Sequence, residues 1–188
     1  MALKLYLAGP DVFLADAREV GRRKQEMCRS FGFEGQFPLD NEAELPADIF
    51  RQNCALMQRA DIAVFNLTPF RGPSADSGTV FELGFMFAKG KPVYGYTSDP
   101  RTYRERVAAT SAVNETEAGP CDSDMFAVEN FGWRDNLMIV AAIEEAGGAV
   151  TAVAEPGIAT KPQSLAALSA FEACLGIIRE RIGRAAGV

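Results

Sequence analysis

Five short apolar runs recur along this chain, and a stretch of helical character follows each. The runs are Leu3–Gly9, Phe33–Pro38, Asp61–Leu67, Pro92–Thr97 and Gly148–Val153. The third is the clearest, because Ile62, Ala63, Val64 and Phe65 are apolar without alternation. A strand that is apolar on both faces must be covered on both faces, which is the condition of a parallel sheet with helical crossovers. The helical stretches are Asp16–Ser30, Pro46–Ala60, Thr79–Lys89, Pro100–Ala109, Asn136–Ala146 and a long final helix over Ser164–Ala185. Residues 110–130 show no period and read as a long loop. The expected fold is therefore α/β: a flavodoxin-like, doubly wound, five-stranded parallel sheet of order 2-1-3-4-5 with helices on both faces. A length of 188 residues suits a single domain over the whole chain.

The chain has no histidine. That removes the Ser-His-Asp triad, the Cys-His pair, His-ligated zinc and any His general base. Acid–base chemistry must come from carboxylates, Tyr, Lys or Cys. Nineteen Lys and Arg against 25 Asp and Glu give a net charge of −6. Such an acidic balance argues against a nucleic-acid binder, which presents a basic face to phosphates. Cys28, Cys54, Cys121 and Cys174 are far apart and form no CxxC, so they read as buried or surface thiols. The N-terminus lacks a signal-peptide apolar region, and no run reaches the ~18 apolar residues of a membrane span. A cytoplasmic protein without a membrane partner is expected. Neither GxGxxG after the first strand nor GxxxxGK[ST] is present, and Pro10 has no N–H to offer a phosphate.

Ligands of such sheets bind outside the carboxyl ends of the strands. The loops there are Gly9–Phe13, Asp40-Asn41-Glu42, Thr68–Gly78 and Ser98-Asp99. Asp61 starts a strand, so it lies at the other edge and reads as structural. In the third loop Asp76 stands before a helix and Glu82 sits about one turn inside it. The plain reading is a helix cap and a first-turn acid favoured by the helix dipole. Two features point past it. Glu82 lies in an apolar helix, Val80 to Ala88, that should be buried nearly all round, and a buried Glu is rare unless paired or functional. The helix N-terminus would also help keep it ionised, as a nucleophile requires. Elsewhere, Arg101, Arg104 and Arg106 read as a solvated helix face, as do Arg22-Arg23-Lys24. Phe85, Met86 and Phe87 read as core, and Trp133 as a core or interface aromatic.

Leu5-Tyr6-Leu7-Ala8-Gly9-Pro10, Phe37-Pro38-Leu39-Asp40-Asn41-Glu42, Asp76 to Gly84 and Asn136-Leu137-Met138 together resemble the nucleoside 2-deoxyribosyltransferases. Leu67-Thr68-Pro69-Phe70-Arg71-Gly72 matches one branch of that family. The matches run in order over residues 5 to 138. The resemblance implies a flavodoxin-like fold, 2'-deoxynucleosides and free nucleobases as substrates, and no cofactor or metal. It places a nucleophile at Glu82, an acid for the leaving base at Asp76, and at Tyr6 a hydroxyl that orients the nucleophile. It places base and sugar contacts at Gly9, Phe13, Asp40, Asn41, Glu42 and Asn53. Asn136 and Met138 match residues that enter a neighbouring subunit's site, which implies a homo-oligomer with shared active sites.

One departure is Asn53, where some members carry Asp. An amide cannot supply a proton, so that role falls on Asp76 alone. Related hydrolases act on deoxynucleoside monophosphates and tend to carry Ser where Asp76 stands. A carboxylate there would repel a phosphate by roughly 1–4 kcal/mol at ~4 Å, which favours a nucleoside. Transfer, hydrolysis of the same N-glycosides, and a non-catalytic small-ligand module all remain open on the residues alone.

Overall fold

The structure is a computed structural model and describes residues 2–40, 43–154 and 161–185. In chain order its strands are β1 (Lys4–Ala8), β2 (Glu34–Gln36), β3 (Ile62–Asn66), β4 (Val93–Thr97), β5 (Asn114–Thr116), β6 (Gly119–Cys121) and β7 (Val150–Ala152). Its helices are α1 (Ala17–Ser30), α2 (Pro46–Arg59), α3 (Ser77–Ala88), α4 (Tyr103–Ala108), α5 (Leu137–Glu145), α6 (Lys161–Ala166) and α7 (Ser169–Ala185). The main sheet is parallel with the order β2-β1-β3-β4-β7. That is the expected 2-1-3-4-5 order, with β7 as the fifth strand.

Strand parity divides the core into two layers. Leu5, Leu7, Ile62, Val64, Tyr94 and Tyr96 face α1 and α7, where they meet Cys28, Phe171, Cys174 and Ile178. Tyr6, Ala8, Ala63, Phe65 and Val93 face the other way, against Leu56 and Met57 of α2, Leu83 and Met86 of α3, and Ile139 and Ile143 of α5. Each fully buried aliphatic or aromatic side chain contributes roughly 1.5–3 kcal/mol, so both layers are needed. Gly148 stands just before β7 because a Cβ there would lie 1.7 Å from the carbonyl oxygen of Val93. Asp61 holds the opposite edge of the sheet, where its Oδ2 accepts from the Lys4 amide at 2.8 Å. The thiols of Cys28 and Cys174 are buried, and burial pushes both up to about 12. Among the described residues no helix is long and apolar enough to cross a membrane.

Several local expectations are corrected. The 110–130 segment carries an antiparallel hairpin, with Asn114 opposite Cys121 and Thr116 opposite Gly119. Strands of three mostly polar residues leave no readable alternation. The final helix is broken: α6 ends at Ala166 and α7 begins at Ser169, and Leu165 and Phe171 are buried on either side. Helix α3 buries only one stripe, Thr79, Leu83 and Met86, while Phe81 and Phe87 are largely exposed. Phe87 is therefore not core. Arg106 is buried beside Asp135 instead of solvated.

Lys24 is the other inverted reading. Its side chain is 1% exposed and pairs with Asp11 at 0%. The ammonium also lies 5.4–5.8 Å from the ring centroids of Tyr96, Phe171 and Phe37. Helix α1 thus pins the 3-10 turn Pro10–Phe13 that follows β1. Lys24→Met is expected to destabilise the fold by roughly 3–5 kcal/mol, because Asp11 is left charged and buried. Lys24→Met with Asp11→Asn should recover most of that loss. Urea unfolding of both variants measures it, and equal losses would mean the pair is not coupled.

Candidate active site

Strand parity decides where Tyr6 goes. Tyr6 lies between Leu5 and Leu7 on β1 and points to the α2–α3–α5 layer. Helix α3 crosses that layer, and its inner side carries Glu82. The Tyr6 hydroxyl donates to Glu82 Oε1 at 2.6 Å. Tyr6 is fully buried, and burial together with the adjacent carboxylate pushes its pKa far up, so it remains a donor. Burial also raises Glu82, to about 7, with a smaller push from Asp76 and an opposing pull from the Tyr6 bond. The carboxyl was expected to be held ionised by the helix terminus. Desolvation outweighs that effect, and Glu82 stands near the midpoint of its titration at neutral pH.

Asp76 caps α3. Its Oδ2 accepts from the Thr79 amide at 3.0 Å and from the Thr79 hydroxyl at 3.2 Å. The cap fixes the carboxylate at the helix start, about 1.7 turns before Glu82. Asp76, Glu82, Gly9, Phe13 and Asn53 line one cavity of about 340 Å³, within the ~300–1,000 Å³ range of small-molecule sites. Val12, Pro38, Leu39, Ile49, Gly78 and Thr79 complete its walls. Gly9 is required because a Cβ there would fall 2.4 Å from both Asn66 Cβ and Asp11 Oδ1. Phe13 is 58% exposed and stacks on Phe70 at 5.2 Å, with the Arg71 guanidinium over both rings. Asn53 presents a buried Oδ1 without a hydrogen-bond partner among the described residues.

A half-buried carboxyl with a raised pKa held by a phenol, a second carboxyl at the cavity edge and a flat aromatic wall can together open a glycosidic bond. One acid can attack the anomeric carbon, while the other protonates what leaves. The family model of the nucleoside 2-deoxyribosyltransferases matches residues 5–138 of this chain. The chain belongs to that family. An uncharacterised protein of Schizosaccharomyces pombe (strain 972) is 34% identical over 167 residues, covering 78% of this chain and 79% of the relative. A solved 2-deoxyribosyltransferase from Leishmania mexicana superposes with a TM-score of 0.67 at 25% identity, over 95% of this chain and 97% of that one. A conserved protein of Enterococcus faecalis aligns with a TM-score of 0.52 at 20% identity, over 82% of this chain and 92% of that one, and shares the fold.

Within the deoxyribosyltransferase frame, one contact expected from the same subunit, Asp40, lies outside the cavity, whereas Asn136 and Met138 were expected in a neighbouring subunit's site and not in this one. Asp40 is not among the cavity walls; its Oδ2 accepts from Gln25 Nε2 at 2.7 Å and from the Phe37 amide at 3.0 Å, which shapes the loop. Asn41 and Glu42 lie outside the described residues. Asn136 and Met138 line a separate apolar depression across α3, with Val80, Leu83 and Phe87. Asn136 caps α5 by accepting from the Met138 amide at 3.0 Å and donates to Glu129 Oε1 at 2.6 Å. Trp133 is likewise away from Glu82 and pairs with Phe131 at 6.2 Å. Sequence reasoning missed the apolar walls Val12, Leu39 and Ile49 and the Phe70–Arg71 stack. The branch-specific Leu67–Gly72 motif held the only signal for the stack.

Proposed function

We propose that the protein transfers 2-deoxyribose between nucleobases, in nucleoside salvage, through a covalent deoxyribosyl-enzyme on Glu82. Ionised Glu82 attacks C1' of a 2'-deoxynucleoside. The C1'–N bond breaks, its electron pair goes to the base, and Asp76 supplies the proton that the departing base needs. A second base then attacks C1' from the vacated face, expels Glu82 and returns a proton to Asp76. Two displacements retain the configuration. The observation that carries this reading is the Tyr6–Glu82 bond in the wall of the cavity that Asp76 edges. One incubation tests it: deoxyinosine with free cytosine. Deoxycytidine is the expected product. Hypoxanthine and free sugar alone would make the enzyme a hydrolase, and no turnover would favour a binding module.

Tyr6 holds the ionised form of Glu82, which gives a pH prediction. The nucleophile works deprotonated, so kcat/KM should fall below about pH 7, where Glu82 takes up its proton. Tyr6→Phe removes a hydrogen bond to a charged group, worth ~1.5–3 kcal/mol, and should move that acidic limb up by ~1–2 pH units. The loss is then large at pH 6 and shrinks as pH rises. A pH–rate profile checks it, and a uniform loss at every pH would contradict it.

We also place the active form in a homo-oligomer with shared sites. Support comes from the position of Met138, 71% exposed beside an open apolar depression on the flank of α3 away from Glu82. Mixing inactive Glu82→Ala and Asn136→Ala subunits should restore part of the activity. A fully active monomer in sedimentation would end this reading.

A further inference from the structure

A second cavity, of about 270 Å³, lies between the loop after β3, the segment joining β4 to α4, and the start of α6. It shares no lining residue with the Glu82 cavity. Arg101, Arg106, Lys161, Thr68, Thr110 and Ser164 contribute to its wall. The unusual member is Arg106. It is 2% exposed, yet Nε, Nη1 and Nη2 have no hydrogen-bond partner among the described residues. Its ion-pair partner, Asp135, stands 3.6 Å away, beyond hydrogen-bond reach. Asp135 is already engaged: Oδ1 accepts from the Ser74 hydroxyl and the Asn136 amide, and Oδ2 from the Ala75 amide.

A buried guanidinium with unmet donors loses its hydration without replacement, so it calls for an acceptor. Burial accordingly pushes the Arg106 pKa down. The acidic group on the cavity wall, Asp99, is held by Arg101 through Nε at 2.9 Å and Nη2 at 2.6 Å. The wall thus carries three cations, Arg101, Arg106 and Lys161, against one carboxylate, Asp99, which Arg101 already engages, so Arg106 and Lys161 find no free acceptor among the described wall residues. We propose that this cavity binds a phosphate-type oxyanion, with Arg106 as the fork and Lys161 and Thr68 closing around it. Arg suits such a group because its planar donors match two oxygens at once. The volume leaves room for a small ester as well as the free anion.

Titration calorimetry at constant ionic strength tests this with inorganic phosphate and with glycerol 3-phosphate, which bears no resemblance to a nucleoside. One equivalent should bind saturably, with sulfate competing and chloride not. Arg106→Gln should weaken binding by tenfold or more, and Lys161→Gln by a smaller factor. If Arg106→Gln fails to fold, Lys161→Gln and Arg101→Gln carry the test, since both side chains are exposed. Tighter binding of the ester would identify a phosphate ester as the ligand, and tighter binding of phosphate the free ion. No saturable binding of either compound, or unchanged affinity in the folded variants, would overturn the site.

Discussion

Glu82→Ala is expected to abolish deoxyribosyl transfer, with a loss in kcat on the order of 10⁵–10⁶, the scale seen when a covalent nucleophile is removed. Among the described residues no other carboxylate joins Glu82 and Asp76 on the cavity wall, so nothing replaces the lost ester. The fold should survive. Burial raises the Glu82 pKa to about 7, above its ordinary value of 4.5. A carboxyl shifted in that direction favours the folded state below its unfolded pKa, and that contribution is lost as pH rises through the folded value. At pH 8 the ionised group is therefore a burden to the fold. Glu82→Gln, which still accepts from Tyr6, should be at least as stable as the parent there and equally inactive. Steady-state rates beside thermal unfolding at pH 8 test both halves, and substantial transfer by either variant would sink the assignment.

Asp76→Asn is expected to slow transfer by ~10²–10⁴, the usual worth of a positioned general acid. Asn caps a helix about as well as Asp, so α3 should keep its start and Glu82 its place. The loss should shrink for nucleosides whose bases leave readily, because those need less protonation. A small loss, equal for all leaving bases, would leave Asp76 as a cap and nothing more.

The frame of this molecule was legible because β3 is apolar from Ile62 to Phe65 without alternation, and a strand buried on both faces fits a parallel sheet covered on both sides. The same parity that buries Leu5 and Leu7 on one face sends Tyr6 to the other, toward Glu82. In the sequence the pair was legible only through the family resemblance; parity supplies its physical reason once the strand is in place. Side-chain charge was less legible. Lys24 and Arg106 sit in polar helical stretches and look solvated, yet each is buried against an acid from a distant loop, Asp11 and Asp135. No local pattern reports such a partner. The hairpin β5–β6 was hidden for a different reason: its strands are too short for alternation to register. The exposure of Phe81 and Phe87 was missed because composition along α3 is apolar all round, while only one stripe meets the sheet and α5.

Peptide mapping of a quenched reaction tests the central claim most directly. The enzyme is mixed with deoxyinosine without an acceptor base and stopped in acid within the first turnover. The account predicts a gain of one deoxyribosyl unit on the peptide carrying Glu82, lost on addition of cytosine as deoxycytidine appears. An adduct on any other residue, or rapid transfer with no adduct on any peptide, would contradict it.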